Sequence, residues 1–233
     1  MVLVLSVPGQ SFTQSSRNSL IDVSDNRRHF IYRDYKPFFW QGDTEWELFH
    51  LFSIQEAKAF LLERKKQGFN VIQVMTTGVF PGSDIMKGVK RAGYWSCLAG
   101  GFYSYGHRDN WMAPLKWRNW YRSEGAMQMK IMGDIFRSLE WWKLVPDESV
   151  FIDSVSGNVT ARSKDGDWII TYLTNMNPLT LKLNTITALK KVTAWWISPV
   201  TGKRKKIGTY DTSGNQIFLP PKNWRDAVLL IAK

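Results

Sequence analysis

The sequence predicts an α/β region built on parallel strands, followed by an all-β domain folded as an antiparallel sandwich. Three observations carry that expectation. Residues 37–75 read strand, helix, strand, the pattern of one parallel crossover unit. Helical periodicity then returns twice before residue 140. From Asp147 the helices stop, and short strand-like segments follow, divided by glycine-containing turns. A chain of 233 residues with 44% apolar and 14% aromatic side chains can fill one large core or two modest ones, which excludes a disordered chain.

Taken in order, residues 20–23 and 29–32 alternate around Asp25-Asn26 as a short hairpin. Phe38, Phe39 and Trp40, bounded by Pro37 and Gly42, read as a buried parallel strand with Asp43 and Thr44 at its C-terminal end. Ser53 and Glu56 form a capping-box pattern, each side chain placed to satisfy a backbone N–H at the other, so a helix starts there. Its expected inner face is Ile54, Ala57, Phe60, Leu61 and Arg64. Gly68 ends it, because the position after a helix favours a residue that tolerates positive φ. Residues 70–75 form the second strand. A second helix over 84–99, stopped by Gly100-Gly101, leads to a third strand over 102–105 and a polar loop over 106–111. A third helix spans 125–139, with Ala126, Met129, Met132, Phe136 and Leu139 on one face.

Beyond Asp147, seven strands are expected at 159–162, 168–173, 179–183, 192–197, 205–209, 216–219 and 227–231. Turns sit at Gly157, Gly166, Gly202 and Gly214. The domain boundary therefore falls near 146, giving 1–17 as a tail or clipped export signal, 18–146 as the α/β region and 147–233 as the sandwich.

Composition narrows the function classes. Cys97 is the single cysteine, and the three histidines are scattered, so neither a disulfide framework nor a metal-ligand spacing is present and no metal or cofactor is expected. No run reaches the roughly 18 apolar residues that a membrane span requires. The opening apolar stretch reads as a clipped export signal and suggests a location outside the cytoplasm, periplasmic or secreted. Net charge is +11, from 31 basic and 20 acidic residues, and its densest cluster is Lys203–Lys206. With no nucleic-acid motif beside it, that cluster reads as a solvated hairpin, and neither nucleic acid nor membrane is expected as a partner.

Several separate stretches resemble one family. FWQGDTEWELF at 39–49, QGFNVIQ at 67–73, RAGYWS at 91–96 and VPD at 145–147 resemble the apiosidase-like glycoside hydrolases. WWISPVTG at 195–202 resembles the small β-domain that follows them, labelled a collagen-binding domain of a collagenase. The resemblance covers residues 18–233 and implies a TIM-type barrel acting on side chains of plant or bacterial polysaccharides. A full barrel of that family is far longer. Here only residues 76–83 separate the second strand from the helix at Arg91, so the resemblance implies a truncated TIM-barrel-like region. It would retain the first, second and eighth strands, ordered second, first, eighth. Three strands leave two open edges and an open inner face, on which Phe38 and Trp40 would be exposed and through which copies would associate.

Glycoside hydrolysis usually needs two carboxylates at a set separation. The family's pair belongs to strands with no counterpart here, so no catalytic residue carries over. What matches is the periphery of the sugar site: Asp43, Thr44 and Trp46 after the first strand, and Tyr105, His107, Asp109 and Trp111 after the eighth. These are the expected substrate-binding residues. Asp43 could pair with Glu47 on a helical turn, or with Asp109 across strand ends, as acid and base. Former substrate contacts or structural hydrogen bonds are the stronger reading, and for Asp43 alone a turn cap is an equal one. Trp46 and Trp111 offer flat faces to a sugar ring, whereas Trp95 and one of Trp195 and Trp196 belong to cores. The expectation is a glycoside-hydrolase-like protein of little or no activity with polysaccharide or oligosaccharide as its partner. The alternative is a glycan- or matrix-protein-binding module acting through the sandwich.

Overall fold

A capping box starts the first long helix where the sequence places it. Ser53 Oγ accepts the Glu56 N–H at 3.3 Å, and Glu56 Oε2 accepts the Ser53 N–H at 3.1 Å. The computed structural model describes residues 2–4, 21–46, 48–74, 89–107, 118, 121–153 and 156–233. Within them the chain runs β1 (Val2–Val4), β2 (Ile21–Val23), β3 (Phe30–Tyr32), β4 (Pro37–Phe38), β5 (Gln41–Thr44), α1 (Leu48–Leu51), α2 (Ile54–Lys66) and β6 (Val71–Gln73). Then come α3 (Val89–Leu98), β7 (Tyr103–Tyr105) and α4 (Glu124–Arg137). Gly68 follows α2 with φ of +84°, the conformation expected of it.

The central sheet has the order β1-β6-β5-β7. β5 pairs in parallel with β6 on one side and β7 on the other. Second, first and third strand therefore lie in the order expected. β1, from the opening apolar stretch, pairs antiparallel with the outer edge of β6.

Two expectations need correction. The parallel strand is Gln41–Thr44, not Phe38–Trp40. Phe38 instead belongs to a separate antiparallel sheet, β2-β3-β4, and pairs with Phe30. It is fully buried rather than exposed, and half-buried Trp40 packs near Phe30 and Phe102, at ring distances of 5.7 and 6.4 Å. Polar Gln41 can occupy the buried strand because its amide is satisfied on both sides. Nε2 donates to the Met129 carbonyl at 3.2 Å, and Oε1 accepts from Arg137 Nη1 at 2.5 Å. The second correction is Ile54, which points to solvent although Phe60 and Arg64 of the same helix are buried. On α4, Ala126, Met129, Met132 and Phe136 are buried as their spacing predicts, and the Phe136 ring stacks 5.6 Å from Phe39. The helix stops at Arg137, before Leu139.

The C-terminal strands are β8 (Leu144–Pro146), β9 (Val159–Ser163), β10 (Ile169–Leu173), β11 (Leu179–Lys182), β12 (Lys191–Ile197), β13 (Arg204–Asp211), β14 (Asn215–Phe218) and β15 (Ala227–Ala232). All seven expected strands are present, and β8 is an addition. Six form an antiparallel sheet, β13-β12-β15-β10-β9-β8, and β11 pairs with β14. Ile169, Trp196 and Leu229 from the larger sheet share one core with Leu181 and Phe218 from the smaller. Gly157, Gly166 and Gly202 have positive φ at the turns where the sequence places them.

Packing divides the chain into Met1–Val89 with Phe102–Arg137, and Lys90–Gly101 with Ser138–Lys233. The composition changes at 146, but α3 and residues 138–146 pack with the C-terminal unit. The Tyr94 ring of α3 stacks on Tyr172 of β10 at 4.4 Å, and Lys90 Nζ lies 2.7 Å from Asp226 Oδ2.

Candidate functional site

The C-terminal end of β5 is where the sequence places ligand contacts, since strand ends of a parallel sheet free their loops from packing. Asp43 is there, but it faces inward. Its side chain is 1% exposed, and Oδ2 accepts from Arg64 Nε at 2.6 Å, with Arg64 fully buried. Arg64 is carried by α2, four residues after Phe60, so the helix delivers a cation from its apolar face to the strand end. Phe60, Phe69 and Tyr105 surround the guanidinium, with ring centroids 5.1, 5.3 and 5.8 Å from its carbon. Its Nη1 donates to Gln67 Oε1 at 2.7 Å and also to the Tyr121 carbonyl. Gln67 Nε2 donates to that same carbonyl at 2.9 Å. Burial pushes the Asp43 carboxyl up, against the pull of the Arg64 charge and hydrogen bond.

Thr44 and Tyr105 are brought together. Asp43 and Tyr105 are register partners across β5 and β7, and Thr44 Oγ1 donates to the Tyr105 carbonyl at 3.2 Å. The two strands close tightly at this point: a Cβ on Gly106 would sit 2.7 Å from Thr44 Oγ1. The Tyr105 hydroxyl lies 2.7 Å from Ser123 Oγ, and burial pushes that phenol up to about 12. Trp46 and His107 are half-buried. Asp109, Trp111 and Glu47 lie outside the described residues. The cluster that the structure assembles is thus Asp43, Thr44, Tyr105, Arg64 and Gln67.

Arg64, Gln67 and Glu45 are the residues that sequence reasoning missed here. Glu45 follows β5, is fully buried, and its N–H donates to the Gln73 carbonyl at 3.1 Å. Arg64 carried a readable signal, since a cation on a helix's apolar face needs an anionic partner. Glu45 carried none, because two intervening polar residues hid it among turn positions. Among the described residues no group of three or more His, Cys, Asp or Glu side chains could hold a metal ion. Cys97 is buried, and its thiol is pushed up to about 12 by that burial, which leaves it un-ionised and inert. No helix among the described residues is long and apolar enough to cross a membrane.

Residues 24–88 match the model of the apiosidase-like catalytic domain, and residues 145–232 match the "putative collagen-binding domain of a collagenase". A solved structure titled "Glycoside hydrolase" superposes with a TM-score of 0.77 over 91% of this chain and 96% of its own, at 16% identity. At that identity the likeness speaks for the fold alone. A family 5 glycoside hydrolase from Bacteroides vulgatus aligns at 26% identity and a TM-score of 0.56, over 62% of this chain and 35% of its own. The α/β part of the chain is similar to glycoside hydrolases in its family match and in its fold. A comparison with curated proteins returns no match. Both matched families are those that the sequence motifs resemble, and the β5 end, with Asp43 and Thr44, lies within the catalytic-domain match.

Proposed function

We propose that this glycoside-hydrolase-related chain engages polysaccharide without cleaving it, and that its α/β unit is a TIM-type barrel shortened to three of its strands. One observation carries the reading. The carboxylate at the end of the central strand is 1% exposed and committed to Arg64. Glycosidic cleavage needs two carboxylates about 5 Å apart, or roughly 6.5–9.5 Å apart, on either side of an accessible sugar bond. A buried, ion-paired Asp43 can serve as neither acid nor base. Thr44 and Tyr105 likewise turn their polar atoms to one another's strand and to Ser123. This reading goes with a location outside the cytoplasm, where polysaccharide is met. Among the described residues β7 is the terminal strand of its sheet, so self-association through that edge belongs to the same proposal.

The test is an assay of reducing-end release from plant and bacterial polysaccharides, run beside affinity electrophoresis in the same polymers. The expected outcome is retarded migration without release. Release that co-elutes with the purified chain and disappears in Glu45→Gln would overturn it.

A further inference from the structure

The C-terminal unit pairs most of its buried or half-buried cations. Lys90 meets Asp226 at 2.7 Å, Lys143 meets Asp165 at 2.8 Å, and Arg162 meets Asp147 at 2.5 Å. Lys203, Arg204, Lys205 and Lys206 differ. All four are exposed, and among the described residues none lies within ion-pair distance of a carboxylate. Three of them stand on β13, which among the described residues is an edge strand whose other long side pairs with nothing further.

Register then places a ring among these charges. Trp195 of β12 is directly opposite Lys206, and Ile197 is opposite Arg204. Neighbouring residues on a strand point to opposite faces, so Lys206 and Arg204 share the face of Trp195, about 7 Å apart along the strand. Trp196 turns the other way, into the sandwich core, and is opposite Lys205. Trp195 itself is half-buried rather than enclosed. The register shifts between Ala194 and Trp195, leaving Ile207 without a cross-strand partner. Such a bulge sharpens the local twist and re-aims the side chains beside it. Arg204 is held over the same region by its Nη2, which donates to Ser138 Oγ at 3.0 Å.

An indole face with one cation directly across and another on the diagonal suits a particular ligand. A half-buried ring at this position can present part of its apolar surface to a sugar, and the cations suit negative charge carried at intervals along the same chain. We propose that Trp195, Lys206 and Arg204 form a binding platform for an anionic polysaccharide, carboxylated or sulfated. The proposal rests on the carbohydrate reading above and names the ligand class and the surface. Nucleic acid and anionic membrane would meet the same charges. The shape of the site favours glycan, since the platform is one ring on a sheet face rather than a groove tracking a phosphate backbone.

The test uses the full chain in affinity electrophoresis against polygalacturonate, dextran sulfate and neutral dextran, with single-stranded DNA and anionic phospholipid vesicles as further arms. Binding to one or both anionic polysaccharides is expected, with dextran left unbound and salt weakening the complex. The two polymers separate carboxylate from sulfate. Lys206→Glu and Lys205→Glu change net charge identically but sit on opposite faces. Lys206→Glu is expected to weaken binding about tenfold and to flatten the salt dependence by about one unit of log–log slope, with Lys205→Glu having a much smaller effect. Trp195→Ala is expected to abolish retention, with Trp195→Phe restoring part of it at unchanged melting temperature. Equal weakening by both lysine variants would reduce the surface to diffuse charge and overturn the platform. So would DNA or vesicles binding as tightly as the polysaccharides. Binding of neutral dextran but of neither anionic polymer would sink this inference and leave the carbohydrate reading intact, whereas a chain that binds no polysaccharide at all fails both.

Discussion

Arg64 is a guanidinium cation with no exposed surface, and Asp43 is its one anionic partner among the described residues. Removing one member of a buried pair strands the other, at a cost of about 3–5 kcal/mol, whereas replacing both with apolar side chains costs much less. Asp43→Asn is therefore expected to lose stability of that order in urea denaturation, and the double variant Asp43→Leu with Arg64→Met is expected to lose less than the sum of the singles. A single-variant loss below about 1 kcal/mol would show that water reaches the pair. Asp147 behaves oppositely with pH. Burial tends to raise its carboxyl, but hydrogen bonds from Ser149 and Arg162 outweigh that and hold it below the ordinary 3.8. A carboxylate with a depressed folded pKa stabilises fully above its unfolded value and loses that contribution as pH falls through the folded one. The stability gap between the native chain and Asp147→Asn should accordingly be largest near neutral pH and close below 3.8. A gap independent of pH would assign Asp147 a packing role only. At this scale the sequence placed Asp43 near a strand end but did not show that its side chain turns inward to Arg64. Asp43 looked like a ligand contact because its partner is a helix turn away from any local motif, and only tertiary packing brings Arg64 to it.

Elements that start and stop by local chemistry were legible, and the strand that depends on distant partners was not. The box at Ser53 and Glu56, the break at Gly68, and the sandwich turns at Gly157, Gly166 and Gly202 lie where the residues alone put them. β5 was shifted by three residues because its apolar neighbours made the better strand pattern. Gln41 becomes a buried strand residue only when Met129 and Arg137 of α4 supply its donors and acceptors. That contact leaves little room. A Cβ on Gly133 of α4 would stand 1.8 Å from Gln41 Oε1 and 2.7 Å from Arg137 Nη1. Gly133→Ala would force this polar junction apart, and a loss of about 1–3 kcal/mol is expected despite the better helix propensity of alanine. Urea denaturation decides it, since a stabilised variant would mean that Gln41 can swing aside without cost.

At the scale of the whole chain, the change from helices to strands near 146 is real, yet it is not where packing divides the molecule. α3 looks in sequence like one more helix of the α/β region. It folds with the sandwich because Tyr94 is a large side chain presented flat to Tyr172, and because Lys90 completes the hydrogen bonding of Asp226, which also accepts from the Tyr172 hydroxyl at 2.7 Å. Burying a ring of that size contributes about 1.5–3 kcal/mol, and a stacked aromatic pair adds roughly 0.5–1.5 kcal/mol. A fragment beginning at 147 lacks all of this and exposes the face that α3 covers. It is therefore expected to melt below the corresponding transition of the intact chain. Tyr94→Ala in the intact chain should reproduce most of the drop, because the same ring contact is lost while the backbone is kept. Calorimetry of the three proteins tests the assignment directly. If the fragment and the intact chain share one melting temperature, and Tyr94→Ala leaves it unmoved, then α3 adds nothing to the sandwich and the boundary lies where the composition changes.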